Sequence, residues 1–401
     1  MKKFIFFLLA ILLCASGLFA AGPDFSGVFD STLTYSAGAG DSPSHSWGIE
    51  EYANIRLKFN IGERAVFYSA FSLIALAGTN LENAALAEHF NTVPDLTSTP
   101  IVYGQNFAAG LELERLYFRI NGNFIDTELG LLRMNFGYGQ VWGSSDFLNP
   151  RNPLFPNARP RGILGIDASF YPTDSLKLMG FIAAPKNPLN VGGGGFLPGV
   201  SLDQHWDRAS IQALYAFETP QADSEWGIHR FGFSLKADLE IGVVADLLYC
   251  FNPVGSDGID GLSASAGFDY SFLGGDLYIL FEYLFNGSSS STALGFGGSF
   301  INHHFLYGNV LYRFNDYCSL ALSTVFCFDD LSFSPFVTLN YEVFQGFSLN
   351  LSLRVPLDQK TFGNGRAGEL GPLPPDQVLP DGSPYNAGAR VIVTAGAKLR
   401  F

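Results

Sequence analysis

Apolar and polar positions alternate along most of this chain, and the final stretch shows the pattern most plainly. Val391, Val393, Ala395, Ala397, Leu399 and Phe401 fall on one face, with Ile392, Thr394, Gly396, Lys398 and Arg400 on the other. Side chains of a β-strand point to opposite faces with period two, so this is a strand with one apolar and one polar side. Phe25, Phe29, Leu33 and Tyr35 oppose Ser26, Asp30, Thr32 and Thr34 in the same way. So do Ala264, Ala266, Phe268, Tyr270 and Phe272 against Ser263, Ser265, Gly267, Asp269 and Ser271. Each run covers about ten residues, the length a tilted strand needs to cross a bilayer.

Soluble sandwiches alternate too, but two further features point to a barrel. Aromatic residues gather near strand ends, as at Tyr249 and Phe251, Tyr283 and Phe285, and Tyr341 and Phe344. Membrane barrels carry such residues in girdles at the two interfaces. Brief turns (60–64, 121–125, 172–175, 273–276, 315–317) also contrast with long connections at 77–110, 137–160, 185–205 and 357–388. After residue 20 no stretch approaches the roughly 18 consecutive apolar residues of a spanning helix. In lipid only helices and closed barrels satisfy their backbone groups. The expectation is therefore an all-β protein: a single transmembrane antiparallel up-and-down β-barrel of 16–18 strands. The pattern yields seventeen segments directly, whereas termini on one side require an even number. Loop parity slips between 185 and 225. A strand hidden in 195–204 restores it, so eighteen is favoured over sixteen.

Residues 1–20 read as a signal peptide: a basic Met-Lys-Lys head, an apolar run from Phe4 to Leu13, and a small-residue exit at Ala20 or Ala21. The barrel then occupies 21–401, its first strand starting a few residues later. Cys14 follows a bulky Leu13 where a lipobox has a small residue, which argues against lipidation. Cleavage removes two lysines and no acids, taking the formal charge from −14 to −16. That excess of acid excludes nucleic acid as a partner and favours cations over anions in any pore. Cys250, Cys318 and Cys327 are odd in number without metal-type spacing and read as strand fillers. His303 and His304 are adjacent in a strand and point to opposite faces, so they do not form a metal pair. No Ser/His/carboxylate grouping stands out, so neither an enzyme nor a cofactor is expected.

With apolar faces outward, Arg56, Lys58, Arg115, Arg119, Asp167, Asp246, Asp269, Glu282, Asn340, Glu342, Asn350, Arg354, Lys398 and Arg400 line the interior. Glu112 and Glu114 fall on the face of Leu116 and Phe118, which places them above the hydrocarbon zone. The segment 135–161 is the most distinctive connection, rich in Gly and Pro and carrying Asp146, Arg151, Arg159 and Arg161. Glycines permit tight turns and prolines stiffen a path that cannot join a sheet. Folded inward, such a loop narrows a lumen, and charges at a constriction set selectivity.

Within it, Gly139-Gln140-Val141-Trp142-Gly143, followed by Asp146, Asn149 and Pro150, resembles the Trp-Gly … Asn-Pro segment of several outer-membrane porin-like families, alginate-export-type barrels among them. A terminal strand ending in Phe401 resembles the element by which bacterial outer-membrane barrels are recognised. The first resemblance implies an outer-membrane passage for a small or oligomeric solute. The second implies that the barrel-assembly machinery is a partner. The expected function is a porin or channel passing small polar solutes through a hydrated lumen in the outer membrane of a bacterial cell. The alternative is a surface-exposed structural barrel or adhesin whose long loops, 77–110 and 357–388, bind external ligands.

Overall fold

The computed structural model describes residues 24–38, 45–79, 98–104, 106–149, 153–154, 162–184, 195–220, 227–251, 261–287, 300, 302–359, 361, 368–371 and 389–401. The strands are β1 Asp24–Gly38, β2 His45–Ile61, β3 Ala65–Gly78, β4 Ser98–Gly104, β5 Phe107–Asn121, β6 Ile125–Leu132, β7 Ile163–Thr173, β8 Leu176–Ala184, β9 Leu197–Trp206 and β10 Ala209–Glu218. They continue as β11 Ile228–Asp238, β12 Gly242–Phe251, β13 Leu262–Phe272, β14 Leu277–Asn286, β15 His304–Asn315, β16 Cys318–Cys327, β17 Phe333–Phe344, β18 Phe347–Arg354 and β19 Ala389–Arg400.

Eighteen of these close into an antiparallel ring in chain order, with β19 returning to β1 through a register running from Val28–Arg400 to Gly38–Ala389. The short β4 stands outside the ring sequence. It pairs with the upper part of β5, above the place where β6 pairs lower down. The strand hidden in 195–204 is β9, and it corrects the connection 185–205 to a shorter 185–196. Every connection at the end holding the termini is brief, from the two-residue 316–317 to the four-residue 273–276. All longer connections lie at the other end, as the sequence pattern predicts.

The two faces of the ring differ as the alternation requires. Phe25, Phe29, Leu33, Leu73, Leu129 and Leu351 are exposed on the outside, each at 44–57%. Inside lie the buried polar residues Asn54, Ser72, Asp246 and Glu282. Cys318 and Cys327 sit at opposite ends of β16 and point to opposite faces, and all three described cysteines are free.

One correction concerns Glu112 and Glu114. The β3–β5 register passes from Ala70–Arg115 directly to Phe71–Leu113, so Glu114 is the extra residue of a β-bulge. A bulge inserts one residue and reverses the parity of everything beyond it. Leu111 and Leu113 therefore face outward, and both glutamates turn inward. Glu114 then accepts hydrogen bonds from the Tyr52 and Ser72 hydroxyls and from Asn54 Nδ2.

Candidate functional site

The connection expected to begin at 137 begins earlier: β6 stops at Leu132, where the chain leaves the wall and enters the barrel. Its apolar residues explain the departure. Met134 and Phe136 pack in a buried cluster with Phe181, Ala183, Leu197, Leu214 and Ala216 on the inner faces of β8, β9 and β10. Farther along, Trp142 is fully buried against Leu280, Leu284, Phe305 and Val325, joined by Phe300 and Leu370 from the outer loops. A strand apolar on both faces is covered on both sides. The sequence of β14, Leu-Tyr-Ile-Leu-Phe-Glu-Tyr-Leu-Phe-Asn, carries that signal.

A chain inside a barrel has no sheet partner, so its N–H groups need acceptors from elsewhere. Here six consecutive residues find them on the wall. Gly137 N–H donates to Gln212 Oε1 at 2.7 Å, while Tyr138 and Gly139 donate to the two oxygens of Asp246 at 3.0 and 2.8 Å. Gln140, Val141 and Trp142 all donate to the Glu282 carboxylate at 2.9 Å. The Trp142 indole N–H closes on the backbone oxygen of Glu282 at 3.1 Å. Hydrogen bonds to an ionised acceptor are the stronger kind, and each carboxylate here faces a small nest of backbone donors. Gly137, with φ +83°, and Gly139 make the approach possible. A Cβ on either would lie 2.7 Å from Asp246 Oδ2.

Beyond Trp142 the chain turns at Gly143 and doubles back. Phe147 stacks on Phe136 at 5.7 Å, and Asn149 Nδ2 donates to the Met134 carbonyl at 3.0 Å. Ser145 bonds Ser234 of β11 at 2.7 Å, and the Arg230 guanidinium lies 5.2 Å above the Phe147 ring. Arg354 of β18 reaches Ser334 at 2.7 Å and the Leu154 carbonyl at 3.5 Å.

The predicted lining residues that lie on described strands fall on the inward register, and the charged ones differ in their surroundings. Asp246, Glu282 and Asp146 are at most 2% exposed, so they hold the inserted segment in place instead of facing water. Others are paired: Arg119 with Glu128, and Lys398 with Asp30 at 2.9 Å. Asp167 sits beside Glu128 in the β6–β7 register, and Glu342 faces inward at the turn end. Arg56, Lys58, Arg115 and Arg400 form no ion pair among the described residues, although Arg56 Nε donates to Asn54 Oδ1 at 2.6 Å. These four cations lie on β2, β5 and β19, away from the strands that the segment covers. Below them a recess of about 510 Å³ is lined by Lys58, Asn60, Tyr68, Tyr117 and Arg119, with the two tyrosine rings stacked at 5.1 Å. Arg151, Arg159 and Arg161 lie outside the described residues.

The outer loops form a separate hydrogen-bonded cap. Asp330 accepts from the Ser332 hydroxyl and N–H, from Asn302 Nδ2 and from the Glu369 N–H. Burial alone would push its carboxyl upward. The hydrogen bonds from Ser332 and Glu369 outweigh burial and hold it below the usual range. Cys327, Asp330 and Glu369 place a thiol and two carboxylates within 4.8 Å of one another, and the donors of the cap already occupy both carboxylates. His303 and His304 do not converge on a site. Both backbone N–H groups bind Asp329, whereas the rings go separately to the Asn286 carbonyl and the Tyr283 hydroxyl.

Solved structures resemble the whole ring. OccAB4 of Acinetobacter baumannii matches with a TM-score of 0.55 at 10% identity, over 95% of this chain and 98% of its own. OccAB3 of the same organism matches with a TM-score of 0.50 at 10% identity, over 94% and 99%. The fold is that of an outer-membrane porin-like barrel. No family model and no curated protein matches the sequence.

Proposed function

We infer that the chain is a porin of the bacterial outer membrane, passing small polar solutes passively through a lumen narrowed by residues 133–149. The observation that carries this reading is the run of six N–H groups, 137–142, held by Gln212, Asp246 and Glu282. A loop merely capping the barrel from outside has no need of buried wall carboxylates, whereas a fixed constriction does. The apolar outer surface between aromatic girdles suits lipid, and the polar inner face suits water.

The charge layout favours anions, contrary to what net charge implies. The acids near the inserted segment are consumed by its backbone, and Glu114 on the uncovered wall is held by Tyr52, Asn54 and Ser72, whereas Arg56, Lys58, Arg115 and Arg400 there form no ion pair among the described residues. Charged rings lining a pore set its selectivity locally, whatever the charge of the whole chain. Reconstitution of the purified barrel into a planar bilayer tests the reading. Discrete conductance steps are expected, and their absence from correctly folded protein overturns it.

A further inference from the structure

Three of the six histidines repeat one arrangement on the outside of the wall, at the end that carries the longer connections. In the hairpin β1–β2, the Tyr35 hydroxyl bonds His45 Nδ1 at 2.7 Å. In β10–β11 Tyr215 bonds His229 Nδ1 at 2.9 Å, and in β14–β15 Tyr283 bonds His304 Nδ1 at 2.5 Å. The paired rings stack with centroids 6.0, 6.1 and 6.2 Å apart, at interplanar angles of 15, 28 and 27°. Each histidine stands opposite the residue two beyond its tyrosine: Ala37–His45, Phe217–His229 and Phe285–His304. That diagonal is within reach of aromatic side chains across a strand pair. All six residues belong to the outward register, close to the outer strand ends.

The pairs give the ring a fixed set of outward donors. No lysine or arginine among the described side chains of the ring strands points outward. A hydroxyl that donates to Nδ1 fixes the imidazole proton on Nε2, because the neutral ring carries one N–H. Nε2 lies across the ring from the tyrosine and forms no hydrogen bond among the described residues. We propose that the three pairs hold phosphate groups of lipids in the outer leaflet, each through its Nε2–H.

Depth and preorganisation select this occupant. The pairs stand among Trp47, Phe217, Phe251 and Phe285, in the aromatic band where headgroups meet acyl chains. Acyl chains offer an N–H no acceptor. A lipid phosphate offers an ionised one, which makes the stronger kind of hydrogen bond. Water accepts from a freely turning ring as well as from a fixed one. A tethered phosphate gains from a ring already held in one orientation by stacking and by the tyrosine. The proposal rests on the membrane reading above and is independent of conduction.

Native mass spectrometry of the full barrel in detergent tests it, with phosphatidic acid and with diacylglycerol of the same acyl chains as probes. Phosphatidic acid should bind, one lipid for each pair, and diacylglycerol should not. The triple variant His45→Phe, His229→Phe, His304→Phe keeps aromatic rings and loses the donors. Its affinity for phosphatidic acid should fall about tenfold. His45→Gln, His229→Gln, His304→Gln should retain binding, because a glutamine amide places an N–H near the position of Nε2. A heat-modifiable gel shift shows that each variant is folded. Equal affinity of the phenylalanine variant, loss of binding in the glutamine variant, or equal binding of diacylglycerol overturns the proposal. Displacement of the lipid by excess inorganic phosphate overturns it in favour of a free ion. Recovery of the protein outside the membrane overturns the earlier reading instead.

Discussion

Glu282 shows how one side chain can be placed on the correct face and still be misjudged from sequence. Alternation puts it inside the barrel, and it is inside, but at 1% exposure it meets three backbone N–H groups rather than water. The sequence signal was a single acid in a strand otherwise apolar on both faces, which marks a wall that something else covers. Removing the carboxylate strands its donors at roughly 1–3 kcal/mol each. Glu282→Ala should therefore lower barrel stability and release residues 140–142, raising single-channel conductance with a noisier open level. Gly139→Ala tests the same contact from the other side. Its methyl would meet Asp246 Oδ2 at 2.7 Å, and the expected result is the same loosening with both carboxylates intact. A conductance unchanged by both substitutions would mean that the segment does not bound the passage.

Whole elements depart from the pattern wherever an interaction distant in sequence intervenes. The strand β6 ends at Leu132 because Met134 and Phe136 gain more by packing on β8–β10 than by extending the ladder. In β5 a bulge at Glu114 reverses parity, and the local pattern shows only apolar and acidic residues sharing a face. The bulge becomes visible once the β3 partner and the Asn54–Ser72 pair are known. At the outer end, the cap joins the 328–332 turn to residues 302 and 369, and its stability follows pH through Asp330. A carboxyl held below its usual range stabilises the cap above the unfolded value near 4. That contribution is lost as pH falls through the lower folded value. Acidification through this window should loosen the cap, seen as faster proteolysis or labelling at 300–304 and 368–371. Asp330→Asn should make that accessibility nearly independent of pH.

Across the whole molecule, charge is sorted by side. Buried Asp246 and Glu282 are bonded by the inserted segment, and the four cations without an ion pair among the described residues lie on β19, β2 and β5, where Glu114 is itself hydrogen-bonded to the wall. The proposed passage runs between the inserted segment and that cationic wall. Reversal potentials in a potassium chloride gradient should therefore show chloride preference. The double substitution Arg56→Glu and Arg115→Glu should move the preference toward potassium. Cation selectivity in the unaltered protein would show that net charge, not local layout, governs the pore. Composition alone pointed the other way, because it counts carboxylates without revealing which are already bonded.

The sequence by itself determined the class of fold, the direction of the faces of the regular strands, the segregation of turns and the even strand number. All of these follow from a period-two pattern, and each strand carries that pattern alone. Tertiary structure decided where the segment 133–149 runs, which carboxylates it consumes, and how the Glu114 bulge turns the wall. Those outcomes depend on pairing between residues tens to hundreds of positions apart, for which an alternating pattern carries no record.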